Sequence, residues 1–120
     1  MSTSVVVLTG HTLFAEGIAA RLRHYADRID LHVVGTDQDD VLDRVIEAAP
    51  GAVILDTTDP EVTRRCSLGR LFQALPEVRV VRLDPERDQF QLVTSEQREA
   101  ADIGDLIEVI QPTHRLADEA

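Results

Sequence analysis

Asp56 is the residue best placed to do chemistry. It closes a short apolar run, Ala52–Leu55, and is followed by Thr57-Thr58-Asp59-Pro60. A continuous apolar run of this length suits a strand buried on both faces in the middle of a parallel sheet. Ligands of open α/β sheets bind beyond the carboxyl ends of such strands, which is where this carboxylate falls. Asp56, Asp59, Asp84 and Asp88 could gather at one rim and hold a hard cation through oxygen. No ligand spacing recommends that over a solvated acidic edge, and no metal is expected. Thr9-Gly10-His11-Thr12 at a helix start offers free amides to an anion. It has neither a Gly-x-Gly-x-x-Gly spacing nor a P-loop lysine, so it reads as a plain strand-helix turn. His11, His24, His32 and His114 are scattered without metal spacing. With Cys66 they form no nucleophile-base pair, and Cys66 itself reads as a small apolar member of a helix.

Composition narrows the classes further. A chain of 120 residues is one domain with enough surface to bury a core unaided. Aromatics are only 3% against 43% hydrophobic, so that core is aliphatic. A net charge of −10 argues against nucleic acid or an anionic membrane as the main partner, since both reward clustered basic charge. All twelve basic residues are arginine. One cysteine excludes an internal disulfide and fits a reducing compartment, so a cytoplasmic location is expected. Met1–Ser4 has no basic flank and the apolar run after it stops at Leu8, which reads as neither a signal peptide nor a membrane span.

The elements that position Asp56 follow from periodicity. Ser4–Thr9 predicts the first strand. Thr12 can cap a helix with Phe14, Ile18, Ala19 and Leu22 on its apolar face. Gly17 inside that helix costs about 1 kcal/mol relative to Ala, and close packing of helix on sheet is the expected reason. Ile29–Gly35 predicts the second strand, and Asp37 caps a second helix to about Ala49, stopped by Pro50-Gly51. Asp59 as cap with Pro60 at the first helical position predicts a third helix, ending near Leu75-Pro76. Val78–Leu83 predicts the fourth strand. Serial strand-helix units give a parallel sheet with right-handed crossovers. Asp84-Pro85 then opens a type I turn, and Gln89–Ser95 is again strand-like. About five residues are too few for a parallel crossover, so the fourth and fifth strands are expected to form an antiparallel hairpin. Asp102 caps a last helix, Ile103–Gln111, with Leu106, Ile107 and Ile110 apolar. Residues 1–111 form the domain, and 112–120 a tail.

In this order the chain resembles a response-regulator receiver domain. Leu8–Ile18 is similar to the strand-helix opening of receivers that carry Asp-Asp-His-Pro-Leu there, with His11, Leu13 and Gly17 on matching positions. Val53-Ile54-Leu55-Asp56, with Pro60 four residues on, resembles the strand bearing the phosphoacceptor aspartate and its loop proline. The resemblance covers roughly Val5 to Leu83. It implies a flavodoxin-like three-layer α/β sandwich with sheet order 2-1-3-4-5, the fifth strand here antiparallel and the fourth helix missing. A sheet domain of the anti-sigma-antagonist type would open strand-strand, whereas here a strand leads directly into a helix.

The departures bear on function. The family's magnesium-binding acids fall at Thr9 and Gly10, its Ser or Thr after the fourth strand falls near Asp84, and its lysine has no counterpart in a chain without lysine. Phosphoryl transfer depends on such groups to neutralise developing charge, and loss of one typically costs about 10²–10³ in rate. The resemblance therefore implies a non-catalytic, phosphorylation-independent module with no cofactor, Asp56 being a vestigial phosphoacceptor that caps nearby amides. An atypical receiver phosphorylated on Asp56 is one alternative. The other is a small-molecule or nucleotide binder at the strand rim, for which Arg82 and Arg87 are the available cations. Any signal is expected to leave through association with an unidentified protein or a second copy. Val80, Phe90, Leu92 and Val93 are the expected interface, on the hairpin of the fourth and fifth strands, the fifth having no Pro or charge to guard its edge.

Overall fold

The computed structural model describes residues 2–10, 13–37, 39–96 and 102–111. It is an α/β protein built on one five-stranded mixed sheet in the order β2-β1-β3-β4-β5. The strands are β1 (Thr3–Thr9), β2 (Ile29–Gly35), β3 (Ala52–Asp56), β4 (Arg79–Asp84) and β5 (Gln89–Val93). The first four run parallel, and β5 is antiparallel to β4. As expected, no helix lies between β4 and β5; residues 85–88 make the connection. Asp84 O accepts from Arg87 N at 3.3 Å, with Pro85 holding φ for the turn. Asp88 follows at φ 54°, a left-handed conformation that Asp tolerates better than most residues.

The helices are α1 (Leu13–Leu22), α2 (Val41–Ala48), α3 (Pro60–Arg65), α4 (Leu68–Ala74) and α5 (Ile103–Ile110), with a 3-10 turn at Arg23–Tyr25. Three expectations about them are corrected. The second helix starts at Val41 rather than after Asp37, because Thr36 is held in a turn. Its amide and hydroxyl both donate to Thr9 O, at 2.9 and 3.3 Å. The third helix is two. Val62 and Cys66 are buried four residues apart, but the next buried residue is Leu71, five on. At about 100° per residue an unbroken helix would turn Leu71 away from the sheet, and extended Ser67 re-phases the chain to bring it back. In α1 the buried residues are Ala15 and Ala19, while Phe14, Ile18 and Leu22 flank them. Thr12, the expected cap, lies outside the described residues, as does the 112–120 tail.

Strand alternation sorts the core onto two faces. Val6, Leu8, Val53, Leu55 and Val80 point to one side and pack with Val41, Val45, Val62, Cys66 and Leu71 from α2, α3 and α4. Val5 and Val7 point to the other, where α1 supplies Ala15 and Ala19. Further along that second face Val7, Ile54, Val81 and Leu92 form a row across the register. The row becomes exposed at its β5 end, where Phe90 is 71% and Leu92 55% accessible. The last helix is capped as expected. Asp102 accepts from Gly104 N and Asp105 N, and Asp105 returns a bond to Asp102 N, a reciprocal box. Its apolar stripe differs from expectation, for no residue of α5 is buried.

Candidate functional site

Asp56 ends β3 in the centre of the sheet and is 3% exposed. A carboxylate so buried is costly unless it is hydrogen-bonded, and the loop after it supplies the bonds. Its Oδ1 accepts from Thr58 N at 2.8 Å and from Thr58 Oγ1 at 2.6 Å. That is an Asx turn with a hydroxyl added. The loop is also tied to the neighbouring strand, since Thr57 N and Thr57 Oγ1 both donate to Leu83 O at 2.9 Å.

Asp59 caps α3 by accepting from Glu61 N at 3.0 Å, with Pro60 at the first helical position, as its place before a proline predicts. Its other oxygen reaches the start of the β1–α1 loop. A Cβ built on Gly10 would overlap the Asp59 carboxylate and come within 3.3 Å of Thr36 Oγ1. Gly10 is therefore required by Asp59. The space a side chain on Gly10 would fill already holds an acid, delivered from a different loop. Thr9 is buried, and its carbonyl is committed to Thr36. Among the described residues no three His, Cys, Asp or Glu side chains gather to hold a metal ion, so Asp84 and Asp88 do not join Asp56 and Asp59 in one cluster.

Cations at this end are also engaged. Arg65 links Asp39 at 3.0 Å and Glu61 at 3.1 Å, and these bonds, that to Asp39 first, hold its guanidinium above its ordinary value. Glu61 is held below the usual carboxylate range by its bonds to Arg64 and Arg65. Arg82 and Arg87 line a cleft of about 420 Å³ with Thr57, Asp84 and Gln91. Arg82 donates to Gln91 Oε1 at 3.1 Å and Arg87 lies 3.7 Å from Asp84, so both are partly spent on neighbours. A wider concavity, about 750 Å³, is at the opposite end of the sheet around Pro50, Gly51, Pro76 and Ser95. Cys66 is buried in the core, which pushes its thiol up.

The expected interface residues divide. Phe90 and Leu92 are exposed on the α1 side of the hairpin, and Val93 packs partly against the core. Val80 is fully buried under α4 and is removed from that set, because its strand position turns it to the closed face. Sequence reading did not single out Thr58 or Thr36. A hydroxyl two residues after an Asp is a recognisable Asx-turn signal, whereas Thr36 meets Thr9 across 27 positions and leaves no local trace.

No family model, no curated protein and no solved structure matches the chain. What the fold and the site define is an α/β protein with a five-stranded mixed sheet and a hydrogen-bonded carboxylate at its centre. Among the described residues no helix is long and apolar enough to cross a membrane.

Proposed function

We propose that this chain is a degenerate, receiver-like signalling module of the flavodoxin-like type, cytoplasmic, which works by association and not by phosphoryl transfer. The observation that carries the reading is the state of the Asp56 carboxylate. A phosphoacceptor needs a cation beside it and donors that meet the incoming phosphoryl oxygens. Here one oxygen is held by Thr58, the place beside Gly10 is taken by another acid, and no lysine exists in the chain.

Association is supported by the other end of the sheet. β5 is an edge strand whose residues Gln89–Leu92 are exposed, and it carries neither Pro nor charge. Such an edge can add to its own copy across a two-fold axis. The proposed product is a homodimer whose formation ignores phosphodonors. Light scattering coupled to size exclusion at micromolar concentration tests this, with and without acetyl phosphate and Mg²⁺. The expected result is one dimeric mass under both conditions, reduced to a monomer by Val93→Pro, which blocks strand addition. A monomer throughout, or a dimer that forms only with the phosphodonor, contradicts it.

A further inference from the structure

Among the described arginines only Arg65 and Arg82 are not fully exposed, and they are treated differently. Arg65 is held by two carboxylates, those of Asp39 and Glu61. Arg82 has a neutral partner instead, donating through Nη1 to Gln91 Oε1 at 3.1 Å. A guanidinium that gives up part of its hydration needs acceptors in exchange, and an anion serves best. Among the described residues no carboxylate forms an ion pair with Arg82. Asp84 lies two residues further along the same strand, but it accepts from Glu86 N at 3.2 Å and is turned toward Arg87. The surroundings of Arg82 are concave. Val80 pairs with Val93, Arg82 with Gln91 and Asp84 with Gln89, so these side chains share one face of the hairpin. That face is sealed core at Val80 and becomes polar beyond it. Thr57, from the loop after β3, joins them to line a cleft of about 420 Å³, within the range of small-molecule sites, which begins at roughly 300 Å³. It lies at the carboxyl ends of β3 and β4, where open α/β sheets take ligands.

We propose that this cleft binds the carboxylate of a small organic acid, with Arg82 as the central donor. The planar guanidinium fork matches two carboxylate oxygens side by side, and the bond to Gln91 uses only part of it. Because Gln91 Oε1 is committed to Arg82, the N–H groups of the same amide remain to donate. Arg87 lines the cleft as well, and its Nε is 3.7 Å from Asp84. That is too far for a hydrogen bond, so its donors are available to a ligand. Thr57 Oγ1 gives its proton to Leu83 O and adds no donor. Charge sets the class of ligand. Arg82 and Arg87 against Asp84 leave a single positive charge, which balances a monocarboxylate and falls short of a phosphate dianion or a nucleotide. Edge pairing of β5 uses backbone groups, whereas this site uses side chains on one face. The two are separable, and the site does not depend on the homodimer.

Titration with sodium acetate, followed by NMR at the backbone amides and the arginine Nε–H groups, tests the site. Sodium chloride and inorganic phosphate at equal ionic strength are the comparisons. Acetate is expected to give saturable shifts centred on Thr57, Arg82 and Gln91, which chloride does not reproduce. Arg82→Gln should weaken acetate about tenfold or more, the usual consequence of losing a hydrogen bond to a charged group. Arg64→Gln, on α3 and outside the cleft, should leave it unchanged. Gln91→Glu keeps the protein testable if Arg82→Gln fails to fold. It sets an internal carboxylate opposite Arg82, and is expected to raise the melting temperature and abolish the acetate response. Shifts no larger than those in chloride, or spread evenly over the exposed arginines, overturn the proposal. Tighter saturation by phosphate than by acetate overturns the carboxylate assignment. A folded Gln91→Glu variant that still takes acetate as the parent does places the anion elsewhere, and overturns it too. Failure of any of these leaves the homodimer to be decided by light scattering and Val93→Pro.

Discussion

The two faces of the sheet are finished to different degrees. On one, α2, α3 and α4 bring Val41, Val45, Val62, Cys66 and Leu71 onto Val6, Leu8, Val53, Leu55 and Val80, and the cluster is sealed. On the other, α1 covers Val5 and Val7 with two alanines, and the apolar row beyond them opens toward Leu92 and Phe90. Both faces come from the same strands, so intrinsic strand character does not explain the contrast. The cause is connectivity. The turn at 85–88 is too short to carry a helix and makes β5 antiparallel to β4, and α5 has no buried residue. The fully buried apolar packing is concentrated on the sealed face, and the exposed apolar surface of the hairpin on the open one.

That division can be broken by mutation. Leu71→Ala empties a fully buried site and is expected to cost about 2–5 kcal/mol, whereas Leu92→Ala at the open end should cost no more than about 1 kcal/mol. Urea midpoints at constant m-value measure both. Equal losses would mean that the two faces are equally packed.

A smaller effect is expected at the rim. Gly10→Ala forces its methyl into the Asp59 carboxylate and should destabilise by about 1–3 kcal/mol. Asp59→Ala removes the α3 cap at about 1 kcal/mol, but it also clears the space. The double variant should therefore lose less than the sum of the two, a coupling that a double-mutant cycle reads directly. Additive losses would separate Gly10 from Asp59.

The smallest expected effect is one of pH. Glu61 has its folded pKa lowered by Arg64 and Arg65 from an ordinary value of 4.5. A lowered carboxylate stabilises above its unfolded pKa, and the contribution is lost as pH falls through the lower folded value. The group is exposed, so its share is slight. Glu61→Gln should flatten the acid limb of a thermal-stability profile below the ordinary carboxylate range and leave neutral pH nearly unchanged.

How far the sequence could be read follows the range of the interactions. β2 falls at Ile29–Gly35 as its apolar members Leu31, Val33 and Val34 indicate, the hairpin follows from a connection too short for a crossover, and Asp59-Pro60 and Asp102 mark helix starts by local chemistry. Local signals failed where distant residues decide. Thr36 is held by Thr9, which delays α2. The break at Ser67 exists to turn Leu71 inward. Gly10 is explained by a carboxylate 49 positions away. Val80 was assigned to an exposed interface because apolar content alone does not say which face is covered. Gly17 was assigned to helix-sheet packing, although open space lies over it.

The central claim is that Asp56 serves as a buried cap and not as a phosphoacceptor. It is tested most directly by intact-mass measurement after incubation with acetyl phosphate and Mg²⁺, beside Asp56→Asn treated alike. The account predicts a single unmodified mass in both, because an acid fills the space over Gly10 and the chain has no lysine to receive the charge. A substantial phosphoryl adduct in the unmodified chain that is absent from Asp56→Asn would contradict it.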